Sequence, residues 1–245
     1  MDFTSLVGIL GVIGLIYLGQ KTGELTSVFL NWHGMIVVLG GTAVAMFLNT
    51  PGRYLWKGFY SLLSIFRNSP YGSPERTISL MVSLAESAQA RGMNVLKEVD
   101  SRVAEGFLVR ASQLALEQNN SDFVREVLER EINQESEVDN ENANLFRVMG
   151  TLAPMFGLVG TLIGIVQVLR QLSNPEQVGP AMAVAITSAF YGILFSNLVC
   201  IPAAGKLRIR SLQKVQTKAM ILEGVLLVMK GEIPLLVETK LRSYL

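Results

Sequence analysis

Ionisable side chains are missing from two long stretches of this chain. No Asp, Glu, Lys or Arg falls between Arg147 and Arg170, and none falls between Glu176 and Lys206. Each stretch spans at least the roughly 20 residues that an α-helix needs to cross a bilayer. A short polar turn, Gln171 to Glu176, joins them, so the pair reads as a transmembrane hairpin. An ion crossing it would meet hydroxyls, glycines and prolines but no carboxylate, which a partner must then supply. Other chemistry is scarce as well. Cys200 is the single cysteine and His33 the single histidine. One thiol forms no internal disulfide, and one imidazole argues against a histidine-rich metal site or a triad with several candidates. The phosphate-binding pattern G-x-x-x-x-G-K-[ST], the zinc pattern H-E-x-x-H and the nucleophile pattern G-x-S-x-G are all absent, which argues against an enzyme. The net charge of +1 sets up no strong field towards nucleic acid.

What remains is largely apolar. Of 245 residues, 50% are hydrophobic and 17% charged, with mean hydropathy +0.39, values that suit an integral membrane protein with a sizeable soluble part. Two further apolar segments lie near the start. Phe3 to Leu18 lacks the basic flank and cleavage site of a signal peptide and reads as a retained helix. Val28 to Leu48 is apolar apart from Asn31, His33 and Thr42. The expected fold is therefore all-α, a polytopic membrane protein with four transmembrane helices and no strand pattern of any length. The expected segments are 1–52 for the first two membrane helices, 53–146 for a cytoplasmic helical domain, 147–205 for the ion-path hairpin and 206–245 for a basic cytoplasmic tail. Arg53 to Leu145 holds ten Lys or Arg and the tail from Lys206 holds eight, whereas Gly19 to Ser27 holds one. Excess positive charge marks the cytoplasmic side, so the middle segment, the tail and both termini are expected there.

The middle segment carries helix signals. Ser73-Pro74-Glu75 combines a capping residue, proline at the first helical position and an acid near the positive end, and Gly92 is a plausible stop. Ser121-Asp122 begins another helix whose charged stretch, Arg125 to Glu141, runs on towards the third membrane helix. That acidic run reads as a solvated face or as a surface for a basic partner.

Small residues mark the hairpin. Gly157, Gly160 and Gly164 share one side of the third membrane helix, and Ala181, Ala185, Ala189 and Gly192, with Ser188 and Ser196 beside them, stripe the fourth. Such residues let backbones approach closely in lipid, either as ordinary packing or as a path. Pro154 deprives the Gly150 carbonyl of its helical donor, and Pro202 does the same to Leu198. Thr161 lies two turns beyond Pro154 on about the same face. A kink, a hydroxyl and close-packing glycines suit a moving helix that lines an ion path, with Pro154 and Pro202 as hinges; a fixed kink with a back-bonded threonine fits the same spacing.

Several motifs resemble those of the MotA/PomA flagellar stator subunits within the MotA/TolQ/ExbB superfamily. Gly179-Pro-Ala-Met-Ala-Val-Ala185, Tyr191-Gly192, Ser196-Asn197 and Pro202-Ala-Ala-Gly-Lys206-Leu207 are similar to that family's fourth helix, and Pro154-Met-Phe-Gly-Leu-Val-Gly-Thr161-Leu-Ile-Gly164 to its third. Met1-Asp2 ahead of an apolar helix and Gly40-Gly41-Thr42 in the second fit as well. The resemblance covers nearly the whole chain in order. It implies a homo-pentamer around two copies of a single-span MotB- or PomB-like partner, in the bacterial cytoplasmic (inner) membrane, in contact with lipid. The partner brings the membrane aspartate. Ions pass beside helices 3 and 4, at Pro154, Gly160, Thr161, Gly164, Ser188 and Ala189, and their flow drives a flagellar rotor of the FliG type.

Two departures bear on these expectations. Sodium-type members pair the threonine at the Thr161 position with two more on the fourth helix; here those positions are Ser188 and Ala189. Thr161 with Ser188 favours sodium over protons as the coupling ion, with Thr161 as a transient ligand and no bound cofactor. The family's rotor contacts flank a glycine matching Gly92, which points to Arg91, Lys97 and Glu98, although Lys97 stands where the family has an acid and Gln89 where it has a base. A non-flagellar rotary ion motor of the same superfamily, such as a TolQ/ExbB-like energiser or a gliding or defence motor, is the alternative. The large segment between helices 2 and 3 favours the MotA-like arrangement.

Overall fold

A computed structural model describes residues 31–64, 71, 73–118 and 120–245, with scattered positions between 7 and 21. The first apolar segment, Phe3 to Leu18, and the connection after it therefore lie mostly outside the described residues. Everything described is helix, turn or connector, with no strand among the described residues. Helix α1 covers Trp32–Asn49. Asn31 starts it, its side-chain oxygen accepting from the His33 and Gly34 amides at 3.0 and 3.2 Å. The helix widens to a π turn over Ile36–Gly40 and ends where Thr50, extended ahead of Pro51, leaves the helical region.

Helix α2 (Gly52–Ser64) follows. Helix α3 (Pro74–Arg91) begins with proline at its first position and stops at Gly92, whose φ of +77° suits glycine. Ser73 occupies the capping position with extended backbone, but its side chain makes no capping bond. Two short 3-10 turns, Met93–Glu98 and Val103–Gly106, lead to α4 (Phe107–Glu117). Asn120 then caps α5 (Ser121–Arg170), accepting from the Asp122 and Phe123 amides. This helix of 50 residues is about 75 Å long at 1.5 Å per residue. Helix α6 spans Pro175–Met229, with a π turn at Ser196–Cys200 just ahead of Pro202, where the missing N–H interrupts the ladder. Helix α7 is Pro234–Arg242.

The chain divides into two compact units. The first joins residues 1–68 to 141–207. Its core gathers Met46, Leu55, Leu145, Phe146, Met149, Cys200 and Ala204. Three described helices, α1, α5 and α6, are long and apolar enough to cross a membrane. Most of their apolar side chains face outward, among them Leu158, Leu162, Val166, Ile186 and Ile193; a surface of that kind belongs in lipid or against partners rather than in water.

The second unit joins residues 69–140 to 208–245. Met81, Phe107, Leu108, Leu128, Ile221, Leu226, Val237 and Leu241 form its core. Residues 208–245 thus pack with 69–140, although the sequence reading set the tail apart. The charged run of α5 meets that tail. Glu135 accepts from Lys218 at 2.6 Å and pairs with Lys214 at 2.8 Å, and Asp139 pairs with Lys214 at 3.2 Å. Part of the run is therefore neither simply solvated nor free for a partner.

Candidate ion-path hairpin and rotor-facing surface

The hairpin lies in the first unit, where the later turns of α5 pack on the earlier turns of α6. The meeting faces are almost bare of side chain. A methyl group on Gly160 would come within 2.5 Å of the Ser188 side chain, one on Gly164 within 2.7 Å of the Ala185 amide nitrogen, and one on Gly192 within 2.6 Å of the Ala153 carbonyl. Gly157 faces Ala189 in the same way. The two small-residue stripes therefore mesh with each other inside one chain, which accounts for the spacing of these glycines.

Close approach brings polar groups of the two helices together. The Thr161 hydroxyl lies 3.1 Å from the Gly157 carbonyl one turn back and 3.0 Å from the Ala185 carbonyl across the interface. A hydroxyl has one proton and two lone pairs, so it can donate to either carbonyl and still present oxygen to a third group. Thr161 is only partly buried, and a cation beside it would meet the hydroxyl and carbonyl oxygens without any charged ligand. Ser188 is fully buried and donates to the Val184 carbonyl at 2.7 Å. Its hydroxyl is wedged between Gly160 and Gly34 of α1. Ser188 thus faces α1 as much as α5, and Ala189 offers no hydroxyl in its place.

The Gly150 carbonyl, which Pro154 leaves without a helical donor, is met by the Ser196 hydroxyl of α6 at 2.6 Å. The turn of α5 that precedes Pro154 is therefore bonded across to the neighbouring helix. At the other proline the Ile201 amide bonds five residues back, to Ser196. One turn of α6 thus adjoins both prolines.

Two features escaped the sequence reading. Thr187 is buried, donates to the Ala183 carbonyl at 2.7 Å and shares with Ser188 the approach to Gly34. The signal was present, since Thr187-Ser188 are adjacent hydroxyls in an apolar run. The other is a cavity of about 1110 Å³ in the first unit, where Asn31, His33, Gln167, Gln171 and Gln177 line the space between α1, α5 and α6. These polar groups can hydrate a passage. Among the described residues no cluster of His, Cys, Asp or Glu could hold a metal ion.

The sequence-predicted rotor contacts lie in the second unit. Arg91 and Glu98 form an exposed ion pair at 3.4 Å across the Gly92 turn, and Lys97 is exposed beside them. Val95 and Leu96, between the two ends of this loop, are buried in the core and fix its position. Elsewhere in this unit, burial disfavours the charge of Glu135, but hydrogen bonds from Lys214 and Lys218 hold its carboxyl below the usual carboxylate range.

The fold has counterparts among known proteins. The model of the MotA/TolQ/ExbB proton channel family matches residues 97–220. Chemotaxis protein PomA of Vibrio alginolyticus is 28% identical over 100% of this chain and 96% of its own. Motility protein A of Borreliella burgdorferi is 30% identical over 91% of this chain and 82% of its own. Among solved structures, the flagellar MotAB stator complex from Bacillus subtilis matches with a TM-score of 0.89 and 26% identity, covering 99% of this chain and 96% of that one. With a family match across half its length and relatives aligned nearly end to end, the chain belongs to the MotA/TolQ/ExbB proton channel family.

Proposed function

We propose that this chain is the ion-conducting stator subunit of a flagellar motor, coupling inward ion flow to rotation. It is a channel-family subunit and not an enzyme. The observation that carries the reading is the hairpin itself: no ionisable side chain between Arg147 and Arg170 or between Glu176 and Lys206, yet a partly exposed Thr161 hydroxyl beside the Ala185 carbonyl. That arrangement offers a passing ion oxygens but no charge of its own, and a MotB- or PomB-like single-span partner supplies the carboxylate. Five copies surround two partners in the inner membrane, with both termini cytoplasmic. Sodium is the coupling ion, with Thr161 supplying an oxygen that a proton path does not require. Arg91, Lys97 and Glu98 face the rotor. One charge falling through about 100 mV releases about 2.3 kcal/mol to drive the cycle.

Deleting the gene in its native bacterium tests the role. Cells should assemble flagella that do not turn, and the intact gene should restore rotation. Normal swimming alongside a failed envelope process would instead favour the non-flagellar motor. Weighing the complex in detergent tests the assembly, since an equimolar complex contradicts a ring of five around two.

A further inference from the structure

Helix α2 presents a face that water alone does not favour. Arg53, Trp56, Lys57 and Tyr60 recur at i, i+3, i+4 and i+7 and so share one side. Both aromatic side chains are 72% exposed. The opposite side is occupied: Leu55 is buried, Gly58 packs on Leu145, and Phe59 meets Phe146 edge-on at 6.3 Å. This internal packing fixes which way the exposed side points. Only Thr50 and Pro51 separate this helix from the end of α1, a candidate membrane span, at Asn49. Amphipathic aromatic rings at that depth match the boundary between acyl chains and headgroups.

Charge selects the occupant. No Asp or Glu occurs between Glu24 and Glu75, whereas Arg53, Lys57 and Arg67 do. Neither Arg53 nor Lys57 forms an ion pair with a described residue, and Arg53 lies over the Tyr54 ring at 5.5 Å. We propose that the Arg53–Trp56–Lys57–Tyr60 face of α2 is a binding surface for anionic phospholipid headgroups. The two cations take the phosphates while Trp56 and Tyr60 seat among the headgroups. This rests on the chain's spanning a membrane and not on its flagellar role.

The test uses the full chain with Trp32→Phe, leaving Trp56 as the only tryptophan, in nanodiscs of phosphatidylcholine. A minority of brominated phosphatidylglycerol, or of brominated phosphatidylcholine at the same fraction, is included as quencher. The anionic lipid should quench Trp56 at a several-fold lower fraction, since a basic residue at the surface is worth about fivefold in local lipid enrichment. The preference should vanish in Arg53→Gln/Lys57→Gln and at molar salt, and persist in Arg53→Lys/Lys57→Arg. Equal quenching by both lipids would overturn the proposal by reducing the face to unselective bilayer contact. Absence of quenching by either would overturn it by placing the face in water or under another subunit.

Discussion

Thr161 carries the only hydroxyl between Thr151 and Arg170, and its two carbonyl neighbours show what that oxygen can do. As a packing group it donates to Gly157 or Ala185, and valine would fill the same space. As a sodium ligand it cannot be replaced by a methyl group. Thr161→Val is expected to leave assembly intact and stop sodium-dependent rotation. Wild-type rotation that persists in sodium-free medium would contradict the sodium assignment. Ser196 makes a second residue-scale case. Ser196→Ala strands the Gly150 carbonyl in apolar surroundings, at a cost of about 1–3 kcal/mol. Pro154→Ala restores a backbone donor to that carbonyl, so Ser196→Ala should cost clearly less in the Pro154→Ala background. Additive losses in the thermal stability of the detergent-solubilised chain would show that the two residues do not share that carbonyl. Thr161, Gly160 and Pro154 were legible in the sequence because a hydroxyl, a glycine or a proline stands out in an aliphatic run. The role of Ser196 was not, because it depends on which turn of α6 comes to rest beside a residue 46 positions away.

At the scale of elements, α5 and α6 are joined within the second unit by the Glu135, Lys214 and Lys218 cluster. Lys218 is 1% exposed, lies over the Phe107 ring at 4.9 Å and depends on Glu135 for its countercharge. Glu135→Gln should destabilise the chain by about 3 kcal/mol, because it leaves a buried ammonium without one, and adding Lys218→Met should recover much of the loss. The pH dependence follows from the directions of the shifts. Glu135 has a folded value below its unfolded one, so its contribution is present above about pH 4.3 and is lost as pH falls through the lower folded value. Burial disfavours the charge of Lys214 as well, but Glu135 and Asp139 raise its value; its contribution is present below about pH 10.4 and is lost as pH rises through that raised value. Melting curves should show an acid limb that Glu135→Gln flattens; an unchanged acid limb would place acid sensitivity elsewhere. The sequence announced α3 at Pro74, its stop at Gly92, the start of α5 at Ser121 and the hairpin, since local chemistry decides each. It did not reveal that the acids of α5 face the lysines of the tail, because helical spacing says which residues share a face but not what that face meets.

At the scale of the molecule, a membrane-facing unit with no acid in either apolar run of its hairpin sits in one chain with a helical unit that displays Arg91, Lys97 and Glu98. Composition alone pointed to this pairing of apolar and charged parts. Helices in the spanning segments accord with it, since such segments must satisfy their backbone groups internally. The central claim is that this chain supplies the path and a partner supplies the charge. The most direct measurement is ion uptake into sealed vesicles carrying this chain alone, this chain with its single-span partner, or this chain with the partner's membrane aspartate changed to asparagine. Uptake only with the intact partner is the predicted result; uptake by this chain alone at the rate of the complex would contradict the account.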